Sequence, residues 1–224
     1  MVMKYFNRND YRNILLMLAD MDVRTLAESH AMTGVVNMRH DVDDDIQAAV
    51  DMAEMEAANG IKATYFFLDT APYWKRDMRK SIARIAKLGH EIGWHNNAIS
   101  NHLVTGLSLR NCIEGPLSVL SKIAPVVGTA SHGDKLCYHH GYLNYYAFGL
   151  SRADNLQKFP NLEEYSQFTL GEFGLEYEAY FTGHTHYISE SGGTWGKDTI
   201  ETYADFCEKG GKLQILIHPQ WWQL

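Results

Sequence analysis

Apolar residues along the chain fall into short continuous runs, and these alternate with stretches in which apolar positions recur at helical spacing. Tyr11, Ile14, Leu15 and Leu18 predict an amphipathic opening helix. Val35 to Val42 predicts a buried strand. Asp44 and Asp45 then suit the cap and first turn of a helix with Ile46, Ala49, Val50, Ala53 and Ala57 on its apolar face and Gly60 as its stop. Ala63 to Leu68 reads as a second strand, and Met78, Ile82, Ile85 and Leu88 mark a helix that Gly89 ends. Glu91 to His95 is a short third strand. Leu107 to Ile123 predicts a helix interrupted at Gly115-Pro116, and Pro125 to Ser131 a fourth strand running into His132-Gly133. From Asp134 to about Glu176 the pattern weakens to irregular elements and long loops. Tyr177 to Ile188 holds a further strand. Ile200, Tyr203, Ala204 and Cys207 lie on one face of a helix over Asp198 to Lys209, and Leu213 to Ile217 is a last strand ending at His218-Pro219.

Strands that are apolar throughout, alternating with helices, imply a parallel sheet covered by helices. Sites in such folds form at the carboxyl ends of the strands. Asp41 and Asp43, His95, His132 and His218 each stand at the carboxyl end of a different strand.

Composition narrows the class. At 224 residues, 46% hydrophobic and 21% charged, with no linker-like stretch and no repeat, residues 1–224 read as a single domain with a sizeable core. A formal charge of -7 without a Lys/Arg cluster argues against nucleic acid as a partner. No apolar run reaches the length of a membrane span, and Ile14 to Leu18 is too short for a signal-peptide core. Cys112, Cys137 and Cys207 are odd in number and read as free thiols, so a cytoplasmic setting is expected. Oligomeric state is left open.

Strand parity sharpens the chemistry. Asp41 and Asp43 point to one side of their strand, roughly 6.6 Å apart along it. Two carboxylates on a buried strand are costly unless they meet a cation, a proton or a metal. Arg39 shares their parity and is placed to keep Asp41 ionised, or to line a substrate site. His40 and Val42 face the other way, which gives His40 a structural role. His95, ending an apolar strand, is a candidate ligand beside the carboxylate pair.

The ordered pieces Arg39 to Asp45, Gly89 to His95 (Gly-His-Glu-Ile-Gly-Trp-His) and Ile215 to Trp222 resemble the polysaccharide deacetylase superfamily, the carbohydrate esterases with the chitooligosaccharide deacetylase homology domain. The resemblance spans Val35 to Trp222. It implies an α/β fold, a distorted (β/α) barrel of about seven strands, as one catalytic domain. It also implies metal-dependent removal of an acetyl group from an N-acetylated sugar or related small amide. By position, Asp41 matches the catalytic base, Asp43 a metal-binding carboxylate, His95 a metal-binding histidine and His218 the general acid. The cofactor implied is a divalent ion, Zn²⁺ first, with Co²⁺, Ni²⁺ or Mn²⁺ as alternatives, and the partner a small-molecule or glycan substrate.

The chain departs from the family where a second metal histidine is usual, four residues after the first: that position is Ile99. His132, followed by Gly133 as in some divergent branches, is the preferred substitute. His102, a water, or no metal at all are the alternatives. An Arg-Pro-Pro-type segment is also missing. Trp221 is a candidate wall of the substrate pocket, with Trp222 closing the barrel end. Tyr142, Tyr145 and Tyr146 are placed to pack or to stack on a sugar, and the histidines at 139, 140, 184 and 186 read as loop and strand residues. Hydrolysis of another C–N bond, such as a cyclic amide or ureide, and carbohydrate binding without catalysis are the competing readings.

Overall fold

A computed structural model describes residues 6–75, 78–196, 200, 207 and 209–224. The chain opens with a two-residue strand, β1 (Phe6–Asn7), and a helix, α1 (Arg8–Leu18), that buries Tyr11, Ile14, Leu15 and Leu18, the face its spacing marks. Strand and helix then alternate as β2 (Val36–Val42), α2 (Ile46–Ala58), β3 (Thr64–Leu68), α3 (Met78–Lys87) and β4 (Glu91–Asn96). The Asp45 carboxylate caps α2 by accepting from the amides of Gln47 and Ala48. Helices α4 (Ala98–Thr105) and α5 (Leu109–Leu120) lead to β5 (Gly128–Ser131). A long excursion with three short helices, α6 (Lys135–His140), α7 (Ala153–Leu156) and α8 (Leu162–Tyr165), precedes β6 (Tyr177–Glu178). The last strands are β7 (His186–Ser189), β8 (Leu213–Ile217) and β9 (Trp222–Gln223).

Seven strands form one sheet in the order β6-β5-β4-β3-β2-β8-β7, every pair parallel. The sheet curls until its two ends approach each other: the hydroxyls of Tyr180, just after β6, and Tyr187, in β7, come within 3.5 Å. The fold is therefore the expected α/β architecture, a distorted seven-stranded barrel left open between β6 and β7. A separate parallel pair, β1 with β9, ties the described N-terminal residues to the C-terminal ones.

The barrel interior is narrow, which explains two glycines. A Cβ on Gly93 would lie 2.3 Å from the Phe66 ring, and one on Gly128 would lie 2.1 Å from the Tyr177 ring. Phe66, Ala130, Tyr177 and Ala179 fill that interior with Leu26, while the larger apolar core lies between the sheet and the helices.

Two elements differ from expectation. Helix α5 runs unbroken through Gly115-Pro116, with Pro116 buried on its inner face. Burial there offsets the amide that proline removes. Residues 177–188 form two short strands divided by a 3-10 turn at Ala179–Phe181, where one strand was expected. The helix expected over 198–209 lies outside the described residues, apart from Ile200 and Cys207, both buried, and Lys209 at its end. No described helix is long and apolar enough to cross a membrane.

On the outer face of the sheet His40 has the structural role that its parity implies. Glu56 of α2 is fully buried and accepts hydrogen bonds from the hydroxyls of Tyr11 and Tyr65 (2.6 Å) and meets His40 Nε2 at 2.6 Å. Burial opposes ionisation of Glu56, but His40, His90 and Tyr11 outweigh it and hold the carboxyl below its ordinary value. Burial also lowers His90. A carboxyl held low stabilises the fold above its ordinary titration range, and that stability is lost as pH falls. A histidine held low adds to the loss, because the unfolded chain takes up its proton first. Glu56→Ala, which leaves several buried polar partners unmatched, should cost about 3 kcal/mol or more in urea unfolding at neutral pH. It should also flatten the acid limb of stability. A loss under about 1 kcal/mol would show that this network does not hold the helix to the sheet.

Candidate metal centre

Strand ends build the site. Asp41 and Asp43 leave the carboxyl end of β2, His95 lies near the end of β4, His132 follows β5, and His218 follows β8. The parallel register brings β4 beside β3 and β5, and β3 beside β2, so these ends share one rim.

Asp41 is almost wholly enclosed. The fully buried Arg39 guanidinium grips it with two parallel bonds, Nε to Oδ1 at 2.8 Å and Nη2 to Oδ2 at 2.7 Å. Burial alone would raise the Asp41 carboxyl, but Arg39, helped by His95 and His218, holds it well below the usual carboxylate range. Arg39 in turn lies 4.6 Å from the centre of the Tyr180 ring and meets Gln214 Oε1 at 3.4 Å. Arg39 exposes no surface, so it is not placed to line a substrate site, and its contact on the rim is Asp41.

Asp43 turns toward two imidazoles. Its Oδ1 lies 3.2 Å from His95 Nε2 and 3.6 Å from His132 Nδ1, and those two nitrogens are 3.3 Å apart. This Oδ1 is buried and has no hydrogen-bond donor well placed on it. Among the described residues these are the one group of three whose ligand atoms all lie within 4.8 Å of one another. His95 Nδ1 donates to the Ala130 carbonyl at 2.8 Å, so in the neutral ring the Nε2 lone pair faces Asp43. Burial and the neighbouring His95 keep His132 below its ordinary value and so in the neutral form a metal ligand needs. An orphaned carboxylate oxygen facing two imidazoles fits a divalent ion of the Zn²⁺ type, with the remaining positions open. Asp41 stands at the edge of this group, its Oδ2 3.5 Å from His95 Nε2.

The alternative ligand His102 is placed elsewhere. Residues 98–105 are helical rather than a loop, and His102 Nδ1 donates to the Leu107 carbonyl at 2.6 Å. Trp221 packs against Gly193 and is absent from the cavity beside His132. Trp222 is buried in the core between sheet and helices, stacked on Phe6 with ring centres 4.6 Å apart. Tyr142 and Tyr146 are buried with their hydroxyls engaged by Ser100 and the Phe159 carbonyl; only Tyr145 of the three reaches the cavity.

Two residues went unmarked in the sequence. Glu190, fully buried just after β7, accepts from the His218 amide and from His218 Nδ1 at 2.9 Å, as well as from Trp222 Nε1 at 3.2 Å. It fixes the ring so that Nε2 is left without a hydrogen-bond partner among the described residues. Burial pulls His218 down, but Glu190, Asp41 and Asp43 together raise it above its ordinary value. Gln220 donates to Asp43 Oδ2 at 3.0 Å, leaving Oδ1 to the imidazoles. A signal for Glu190 was present: an acid directly after a strand, at the same kind of position as Asp43.

No family model matches the chain, and no curated protein matches it in sequence. Among solved structures it is similar to a mutant of the peptidoglycan deacetylase PdaC from Bacillus subtilis. The TM-score is 0.41 and the identity 14%, over 85% of this chain and 77% of that one. The likeness is loose, and the reading of the site rests on its own geometry.

Calorimetric titration with Zn²⁺ or Co²⁺ tests the ligand set. Asp43→Asn and His132→Ala should each weaken binding by more than the roughly 10- to 100-fold that losing a merely orienting group costs. His102→Ala and Asp41→Asn should leave an ion bound. Equal loss from His102→Ala, or none from His132→Ala, would remove His132 from the centre.

Proposed function

We propose that the chain is a metal-dependent hydrolase of a non-peptide C–N bond, removing the acetyl group from an N-acetylated sugar or a related small amide. One observation carries the reading: a carboxylate gripped by a buried guanidinium and an imidazole gripped by a buried carboxylate stand on the same rim as the group of potential ligands. Amide hydrolysis needs those parts, because water is a poor nucleophile and the free amide anion a very poor leaving group. A divalent ion held by Asp43, His95 and His132 would polarise the acetyl carbonyl and make water more acidic.

The chain's own residues supply the proton transfers. Asp41, kept ionised by Arg39, accepts a proton from the attacking water. A carboxylate held so low is a weak base, so it serves only where the donor is already acidic. His218, its Nδ1–H committed to Glu190, carries its second proton on Nε2 and delivers it to the departing nitrogen. The C–N bond breaks, and acetate and a free amine leave. Asp41 and His218 are thus assigned opposite duties by their neighbours, one held ionised by a cation and the other held protonated by carboxylates. The three described cysteines are free and buried, which supports a cytoplasmic setting.

Acetate release from N-acetylated sugars is the direct assay. Asp41→Asn should lower turnover by roughly 10²- to 10⁴-fold while the ion stays bound. A normal rate in that variant would remove Asp41 as the base. Since activity requires protonated His218, the rate should fall as pH rises through the raised value of that group. Glu190→Gln, which removes part of the raising influence, should move this alkaline limb to lower pH; an unmoved limb would mean that His218 is not the acid.

A further inference from the structure

A cavity of about 400 Å³ opens beside the candidate metal centre, lined by Ser131, His132 and Gly133 and also by Tyr138, Arg152 and Lys158. That is within the size range of sites for small ligands. The segment that forms much of its wall is the irregular excursion between β5 and β6, which the barrel itself does not require. Its composition is uneven. In a chain of formal charge -7, two cations, Arg152 and Lys158, line this one cavity against a single carboxylate, Asp154, which Arg152 engages.

Lys158 is exposed and has no carboxylate partner among the described residues. Its ammonium lies 4.6 Å from the centre of the Tyr138 ring and 5.4 Å from that of Phe159. These aromatic faces hold the charge in place over the cavity without neutralising it. Arg152 is bound through Nε and one terminal nitrogen to Asp154 at 3.2 and 3.1 Å, on the exposed rim. The remaining N–H groups of its fork are left for a ligand. Tyr138 is 64% exposed, and its ring meets Phe159 and Lys158 among the described residues.

Resting on the deacetylase reading above, we infer that the substrate is a small acylated amino sugar bearing an anionic group, a phosphate ester or a carboxylate. Its acetyl end lies at His132 and its anion lies against Lys158 and Arg152, with Tyr138 beneath the connecting ring. Lys158 is then a specificity-determining residue. Its aromatic seat costs less conformational freedom than a free surface lysine would, and the anion meets a charge that no carboxylate has yet claimed.

Binding measured apart from turnover tests this. The Zn²⁺-loaded protein carrying Asp41→Asn would be titrated by calorimetry with N-acetylglucosamine, N-acetylglucosamine 6-phosphate, N-acetylglucosamine 1-phosphate and N-acetylmuramic acid. At least one anionic sugar should bind 10-fold or more tightly than the neutral one, and added salt should shrink the difference. Comparison of the phosphates with the carboxylate identifies which anion is used. Lys158→Gln should abolish the preference, and Lys158→Arg should keep most of it. Equal affinity for neutral and anionic sugars, no binding of any, or a preference that survives Lys158→Gln would overturn the inference. The deacetylase reading stands or falls separately. Anionic sugars that bind at Lys158 but release no acetate with the unsubstituted protein would sink that reading and leave the anion site intact. Equal acetate release from neutral and anionic sugars would do the reverse.

Discussion

A single buried ion pair sets the terms for the rim of this barrel. Arg39 and Asp41 stand two residues apart on β2, which lies between β3 and β8, and both are enclosed. Removing two charges from water costs several kcal/mol per ion, and only good geometry and further hydrogen bonds recover it. Here the recovery comes from the bidentate fork, from Gln214 on the neighbouring strand and from the Tyr180 ring over the guanidinium. The barrel has to be narrow for those partners to reach inward together. Its narrowness in turn demands Gly93 and Gly128 where Phe66 and Tyr177 press across the interior.

The pair also divides the labour of the two aspartates. With both oxygens of Asp41 committed to Arg39, Asp43 is the carboxylate left to face His95 and His132. Gln220 takes the outer oxygen of Asp43 and so turns the other one inward. Across the rim Glu190 does for His218 what Arg39 does for Asp41: it fixes the orientation of the ring and biases its charge. A buried partner of opposite formal charge thus stands behind Asp41 and behind His218, and neither of these backing residues is exposed.

Much of this was legible because it is local. Side-chain alternation places Arg39, Asp41 and Asp43 on one face and His40 on the other, and strand ends are marked by where the apolar runs stop. The choice of His132 over His102 depended on whether residues 98–101 form a helix. Asn97-Ala98-Ile99-Ser100 carries little helical periodicity, and the helix is held by packing and by Asn144, whose side-chain oxygen accepts the Ile99 amide. Glu190 was missed because β7 is only four residues long and the segment from Tyr177 reads as one strand. The cavity wall was out of reach for a different reason. Tyr138, Arg152 and Lys158 lie in short helices and loops whose positions are set by tertiary contacts, to which no sequence period corresponds.

Anomalous diffraction from crystals of the Zn²⁺-loaded protein tests the central claim most directly. The account predicts one ion bonded at about 2.0–2.2 Å to a carboxylate oxygen of Asp43, His95 Nε2 and His132 Nδ1, with Asp41 still gripped by Arg39 and not bonded to the ion. An ion bonded to Asp41, an ion seated at His102 or the His139-His140 pair, or no ion after loading would contradict it.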